Sequence, residues 1–173
     1  MKSKKILAAY FSRAGQNYSN GSIVELKVGN TKVAAEMAAG LAKAELFEIH
    51  PKQEYPFVYD ECTELAGDEL RANSRPELTS NVDVSKYDVV ILGYPSWWGT
   101  MPMAVWTFLD SQDFSGKIIL PFCTNEGSGM GSSERDLKRL CPSADIRPGL
   151  AIHGSAVAQA KPAMEKWLKK NLE

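Results

Sequence analysis

The sequence predicts an α/β fold in which one doubly wound parallel sheet of five strands is covered by helices on both faces. Residues 89–92 form an unbroken apolar, mostly β-branched run inside a predicted strand over residues 87–94, as is typical of a strand buried on both faces. Five strand-like segments alternate with five helical ones along the chain. At 173 residues the chain is too short for a barrel of eight such units. We therefore expect one domain with an open sheet over residues 1–173.

The first part of the chain supplies two strands and two helices. Residues 5–11 form an apolar strand, and residues 45–50 alternate as a shorter second strand. Between them, a polar loop over residues 12–30 leads into a helix over residues 31–44. The apolar side chains of this helix recur at helical spacing, at Val33, Met37 and Leu41. Residues 60–72 are predicted to form a second, rather polar helix.

The elements after the central strand continue the alternation. A third helix over residues 102–110 begins at Pro102, since a missing N–H costs nothing at the first position of a helix. A fourth strand is expected over residues 117–123, a fourth helix over residues 132–140 and a fifth strand over residues 146–153. The closing helix is predicted to bury Met164, Trp167 and Leu168.

Composition excludes several classes of protein. Hydrophobic residues make up 44% of the chain, charged residues 24%, and the formal net charge is −1, so nothing favours binding to nucleic acid or an anionic membrane. No apolar stretch reaches the length of a membrane span, and the first ten residues lack a signal peptide's cleavage pattern. Three cysteines without CxxC spacing and only two histidines predict no metal site. A reduced, cytoplasmic protein is expected.

Three loops that should meet at the switch point of the sheet are unusual. The first begins at Ser12 and ends at Asn30 and Thr31, where a helix starts. Hydroxyls, small residues and free backbone N–H groups at a helix start form a nest for a phosphate. Plain capping by Asn30 or Thr31 is the alternative, but it leaves Ser12 and Gly15 at the other end of the loop unexplained.

The other two loops suggest a flat ligand. Residues 94–101 contain Trp97 and Trp98, which suggest a stacking surface, although a tryptophan that merely caps the core is an alternative. Residues 124–131 are rich in glycine but follow the wrong strand for a dinucleotide fingerprint and lack its acidic residue. For this loop, the interpretation that its backbone approaches the edge of a planar ring is favoured over that of a flexible linker. Together the three loops predict a site for a phosphorylated, planar heterocycle.

The chain resembles the flavodoxin family of FMN-binding proteins over residues 5–172. The resemblance lies in FSRAG with the later GNT, in GYPSWWGTMP, and in PFCTNEGSGMG. It implies a five-stranded sheet of order 2-1-3-4-5, with FMN at the switch point between strands one and three.

The resemblance also implies which residues hold the cofactor. The FMN phosphate would be held by Ser12, Arg13, Ala14, Asn30 and Thr31. One face of the isoalloxazine would be covered by Pro95, Ser96, Trp97, Trp98 and Gly99. The pyrimidine end would meet Thr124, Asn125 and Gly127. We favour Trp97 as the stacking residue. A peptide turn at Gly99 would stabilise the one-electron state, the alternative being an ordinary turn glycine.

Two features depart from the family pattern. Residues 16–28 interrupt the phosphate loop, and this insert either folds over the cofactor or forms a mobile surface loop. The near-neutral charge is also unlike flavodoxins that act as carriers, which are often strongly acidic.

The functional hypotheses follow from the resemblance. The first is an FMN-binding redox protein that carries electrons between a reductase and an acceptor, with no catalytic side chain because the chemistry belongs to the flavin. The alternatives are an FMN-dependent NAD(P)H:quinone or small-molecule reductase, and a flavodoxin-like binding module without cofactor. We expect a redox partner protein or a small-molecule acceptor, and a monomer or a homodimer. Cys123, near the proposed site, is expected to be a packed strand residue.

Overall fold

The computed structural model describes residues 2–173. Its strands are β1 (Ile6–Tyr10), β2 (Gly15–Ser19), β3 (Ser22–Leu26), β4 (Glu45–Glu48), β5 (Val89–Pro95), β6 (Ile118–Asn125), β7 (Asp145–Ile146) and β8 (Leu150–His153). Its α-helices are α1 (Asn30–Ala42), α2 (Tyr59–Arg71), α3 (Met103–Asp110), α4 (Ser133–Leu140) and α5 (Lys161–Leu172). Short 3₁₀ segments cover Val84–Lys86 and Gly154–Gln159.

The main sheet is parallel and has the order β4-β1-β5-β6-β7, with β8 also paired to β6. When β7 and β8 are counted as one interrupted strand, this is the predicted order 2-1-3-4-5. The expected fold class is therefore confirmed.

Strand β5 lies at the centre of the sheet and separates two apolar cores. Val90 and Leu92 pack into the core that includes α3, whereas Val89 and Ile91 pack into the core that includes α1 and α5. All four of these side chains are completely buried. Successive side chains of a strand point to opposite faces, so an unbroken apolar run satisfies both cores at once.

The predicted fifth strand is interrupted. Strand β7 pairs with the first residues of β6, and β8 pairs with the last four. Between them, the N–H of Arg147 still donates to Ile119, but Pro148 has no N–H to continue the ladder. The pairing resumes after Gly149, beside the end of β6 that borders the loops.

The predicted polar loop over residues 12–30 contains a β-hairpin. Strands β2 and β3 pair antiparallel around a turn at Asn20 and Gly21, both of which have positive φ. An Asn-Gly pair is the strongest short-range signal for such a turn, and the sequence interpretation passed over it. At α3 the prediction is one residue off, because Pro102 is the N-cap and the helix begins at Met103. Within residues 2–173, every helix is too short or too polar to cross a membrane.

The central position of β5 generates a stability prediction. Leu92→Ala is expected to lower the free energy of unfolding by about 2–5 kcal/mol, because Leu92 is 0% exposed and truncation leaves a cavity. Leu46→Ala is the matched control: Leu46 lies on edge strand β4, is 44% exposed, and is expected to cost about 1 kcal/mol or less. Urea denaturation measures both, and equal losses would contradict the central role assigned to β5.

Candidate functional site

A cavity of about 400 Å³ lies at the carboxyl ends of β1, β5 and β6. Ten of the thirteen residues predicted from the sequence line it, namely Ser12, Arg13, Asn30, Thr31, Pro95, Ser96, Trp97, Trp98, Thr124 and Asn125. Ala14, Gly99 and Gly127 do not line it. The three loops identified in the sequence therefore converge on one cavity.

One end of the cavity is built to receive an anion. Helix α1 begins after Gly29 without a side-chain cap, and the Oγ of Ser12 accepts from the N–H of Lys32 in its first turn at 3.0 Å. Because the first N–H groups of a helix have no intrahelical acceptor, those of Asn30 and Thr31 remain free for a ligand. A side chain at residue 29 would clash with Ser12 Oγ and lie 2.7 Å from the Arg13 carbonyl, so only glycine fits there.

Arg13 connects this end of the cavity to the β2–β3 hairpin. Its two terminal nitrogens donate to the backbone carbonyls of Gln16, Pro56 and Phe57. Its Nε is buried and has no hydrogen-bond partner among the described residues. The guanidinium is therefore partly committed to holding the hairpin against the segment before α2, while one buried donor remains available.

The insert at residues 16–28 packs against the rest of the protein. The N–H of Gln16 donates to Phe57, and the side chain of Gln16 accepts from the N–H of Tyr59 at 2.9 Å. Asn17 and Tyr18 of the hairpin line the cavity. The insert therefore borders the cavity, and that it folds over the cofactor stays a prediction.

The two tryptophans stand in different environments. Trp97 is half-buried, and its ring makes edge contacts with Phe11 and Tyr55 at centroid distances of 5.0 and 4.8 Å. Trp98 is 56% exposed, and its indole N–H donates to the carbonyl of Thr63 on α2 at 3.0 Å. Gly67 of the same helix lets the indole approach closely, since a Cβ there would lie 3.1 Å from the ring.

A tight turn explains these two positions. Trp97 and Thr100 exchange both backbone hydrogen bonds, and the residues between them, Trp98 and Gly99, both have positive φ. This is the geometry of a two-residue hairpin turn. The turn places Trp97 against Phe11 and Tyr55 and Trp98 against α2, and both residues line the cavity.

Hydrogen bonds tie the three loops together. Thr31 and Thr124 share a hydroxyl–hydroxyl hydrogen bond of 2.7 Å, and the N–H of Ser96 donates to the Thr124 carbonyl. The side-chain oxygen of Asn125 accepts from the N–H groups of Gly127 and Gly129, which bends the glycine-rich loop. The loops are thus positioned by the protein itself.

Gly99 is held away from the cavity by α4. Its carbonyl accepts from both the N–H and the hydroxyl of Ser132. A change in the orientation of this peptide group would break both hydrogen bonds. In this structure Gly99 is a turn residue, and its role in stabilising the one-electron state stays a prediction.

Sequence reasoning missed one wall of the cavity. Helix α2 contributes Tyr59, Cys62, Thr63 and Ala66. These residues follow the i, i+3, i+4, i+7 spacing of one helical face, and this was the available signal. Ser128 and Gly154 were also missed as lining residues.

The buried thiols are held in their neutral form. Burial raises the pKa of Cys62, against an opposing effect of nearby Arg13. Burial raises the pKa of Cys123 to about 12, and this residue packs in β6 without lining the cavity. The expectation that Cys123 is a packed strand residue is confirmed. Among residues 2–173, no group of three or more His, Cys, Asp or Glu side chains is placed to hold a metal ion.

The connection between the tryptophan turn and α4 yields a second stability prediction. The buried hydroxyl of Thr100 donates to Asp136 Oδ2 at 2.6 Å, and Asp136 is itself buried. Thr100→Val should lower the free energy of unfolding by about 1–3 kcal/mol, since it leaves a buried carboxylate short of a donor. Thr107→Val, in which the lost bond is a 3.3 Å contact within α3, should cost about 0.5 kcal/mol. Thermal and urea denaturation measure both variants. A loss of stability in Thr100→Val that is no larger than in Thr107→Val would argue against this connection.

Comparison with known proteins identifies the family to which the chain belongs. A protein from Bacteroides eggerthii that is assigned to the flavoproteins shares 28% identity and superposes with a TM-score of 0.77, over 98% of this chain and 99% of that one. A flavoprotein from Lactobacillus acidophilus in complex with FMN shares 22% identity with a TM-score of 0.66, over 91% and 98% of the two chains. Flavodoxin 1 from Bacillus cereus shares 17% identity with a TM-score of 0.56, over 95% and 97%.

The last two likenesses, at below 25% identity, show the fold. Among curated protein sequences none matches this chain. The family model for flavodoxin matches residues 5–171, nearly the full length described. The chain therefore belongs to the flavodoxin family.

Proposed function

We propose that this protein binds FMN in the cavity and uses it as a redox centre. The observation that supports this most directly is the pairing of two chemistries in one cavity. The uncapped start of α1 and the buried Arg13 Nε offer donors to a phosphate, and the indoles of Trp97 and Trp98 offer apolar surface to a flat ring. The structure of the Lactobacillus acidophilus flavoprotein in complex with FMN supports the same cofactor.

The residues at one end of the cavity fit the phosphate. Ser12, Asn30 and Thr31 would hold it, and Thr124, whose hydroxyl bonds to that of Thr31 at 2.7 Å, would lie beside them. Trp97 is the better candidate to cover the ring, since Phe11 and Tyr55 brace it in one orientation. A braced ring loses little freedom when a ligand stacks on it. When bound, FMN supplies one- and two-electron chemistry, while the chain binds, orients and shields it.

Within this proposal, the role of an electron carrier is favoured over that of a reductase. The net charge of −1 conceals a local excess on α2, which has five carboxylates and one arginine. Asp60, Glu61, Glu64 and Asp68 are exposed on this helix, beside the cavity and the exposed indole of Trp98. Such a surface suits transient docking of a basic redox partner, because complementary charge raises association rates.

A charge placed at the start of α1 tests the position of the phosphate. Asn30→Asp is expected to weaken FMN binding by at least about tenfold, because a carboxylate would lie beside the phosphate. Riboflavin, which has no phosphate, should bind the variant nearly as well as the native protein. Asn20→Asp is the matched control, because Asn20 occupies the exposed turn of the hairpin and an aspartate tolerates its positive φ. Quenching of flavin fluorescence gives the dissociation constants. An unchanged affinity of Asn30→Asp for FMN would contradict the placement of the phosphate at the start of α1.

An anaerobic titration separates the carrier from the reductase. The FMN-loaded protein is treated first with NADH or NADPH and then with dithionite, while the flavin spectrum is recorded. A carrier should be inert to the nicotinamides and should be reduced by dithionite in two resolved one-electron steps. Rapid bleaching by a nicotinamide in a single step would favour the reductase. A native protein that binds no FMN would instead favour a binding module without cofactor.

A further inference from the structure

Glu126 lines the cavity, and its buried carboxylate lacks the donors that would satisfy it. The residue follows β6 directly, and its side chain is 13% exposed. Neither Oε1 nor Oε2 accepts a hydrogen bond from a donor among the described residues. Nε2 of His153 lies 2.7 Å from Oε2, within ion-pair distance but without the geometry of a hydrogen bond. Oε1 has no hydrogen-bond partner among the described residues. A buried acceptor in this condition is costly unless a ligand supplies donors.

The position of the carboxylate limits what that ligand group can be. An ideal Cβ on Gly154 would lie 2.6 Å from Asn30 Nδ2 and 3.1 Å from Glu126 Oε1, so both groups border one small space that glycine leaves open. Asn30 begins α1, and the carboxylate therefore lies next to the anion-binding end of the cavity. A carboxylate only accepts hydrogen bonds, and a phosphate dianion only accepts them as well. Glu126 therefore requires a neutral ligand segment that bears N–H or O–H donors and adjoins the phosphate.

We propose that Glu126 accepts hydrogen bonds from the hydroxyl groups of the ribityl chain, the polyol that joins the phosphate of FMN to its ring. This inference rests on the proposed binding of FMN. Gly154 keeps the space beside the carboxylate free, and His153 holds the carboxylate from its solvent side. Glu126 is in this way a determinant of specificity for flavins that retain the polyol, and it contributes little to recognition of the ring.

The competing expectation is electrostatic. A carboxylate beside a phosphate repels it, and in that case removal of the charge would strengthen the binding of FMN alone. Three ligands distinguish the two: FMN, riboflavin, which keeps the polyol but lacks the phosphate, and lumiflavin, which has neither.

The experiment compares the native protein with Glu126→Ala and Glu126→Gln, using Glu165→Gln on the exposed face of α5 as the matched control. Glu126→Ala is expected to weaken the binding of FMN and of riboflavin by similar factors of about tenfold or more, which is the scale of a hydrogen bond to a charged group. The affinity for lumiflavin should change by less than twofold. The Tm of the flavin-free Glu126→Gln protein should not fall, because that substitution removes an unsatisfied buried charge.

Several results would overturn the inference. They are unchanged affinities for FMN and riboflavin in Glu126→Ala, an equal loss for lumiflavin, a gain confined to FMN, or a lower Tm for Glu126→Gln, which would mark Glu126 as a structural residue. A native protein that binds none of the three flavins would overturn the proposed function itself. That outcome is distinct, because the ribityl assignment is tested only by differences between variants of a protein that binds FMN.

Discussion

The burial of β5 on both faces is the constraint on which the rest of the structure depends. A strand with no access to water must pair its N–H and C=O groups within the sheet, and β1 and β6 meet this requirement in parallel register. Parallel neighbours end at the same edge. The loops after β1, β5 and β6 therefore meet at one edge, and the cavity is a consequence of how a buried backbone is satisfied.

The loops at that edge are ordered by short polar contacts rather than by apolar packing. The Thr31–Thr124 bond joins the first loop to the third, and the Thr100–Asp136 bond joins the second to α4. Ser132 adds a further connection to the Gly99 carbonyl. Each contact is buried or partly buried, where an unmade hydrogen bond is expensive, and such contacts specify one arrangement. The site therefore has its shape before a ligand enters, which reduces the ordering cost of binding.

The few groups left unsatisfied are informative because the rest of the site is so well paired. Arg13 Nε and the two oxygens of Glu126 are the buried side-chain polar atoms without hydrogen-bond partners in the described part of the chain. All of them belong to residues that line the cavity. The donor belongs to the loop before the uncapped start of α1, and the acceptors lie beside it. This distribution matches an anionic group joined to a chain of hydroxyls, and it is difficult to explain as a requirement of folding alone.

Much of this was predictable from local pattern. The run at residues 89–92 identified the central strand, and the segments around Ser12, Trp97 and Thr124 identified loops that share one edge. The hairpin β2–β3 was also readable, because Asn20-Gly21 is a turn signal. The sequence interpretation overlooked it within a long polar segment. The break in the fifth strand at Pro148 is a local effect of one missing N–H, and its position could have been anticipated.

The sequence by itself determined the order of the elements, the class of the sheet and the three loops at its carboxyl edge, because periodicity and turn chemistry are local properties. Only the tertiary structure decided which α2 residues form the far wall, where Trp98 docks, how Arg13 is shared with the hairpin, and that Glu126 is buried without donors. Each of these depends on distances between residues far apart in the chain. A side chain's hydrogen-bond partners, or its lack of them, are set by packing and not by its neighbours in sequence.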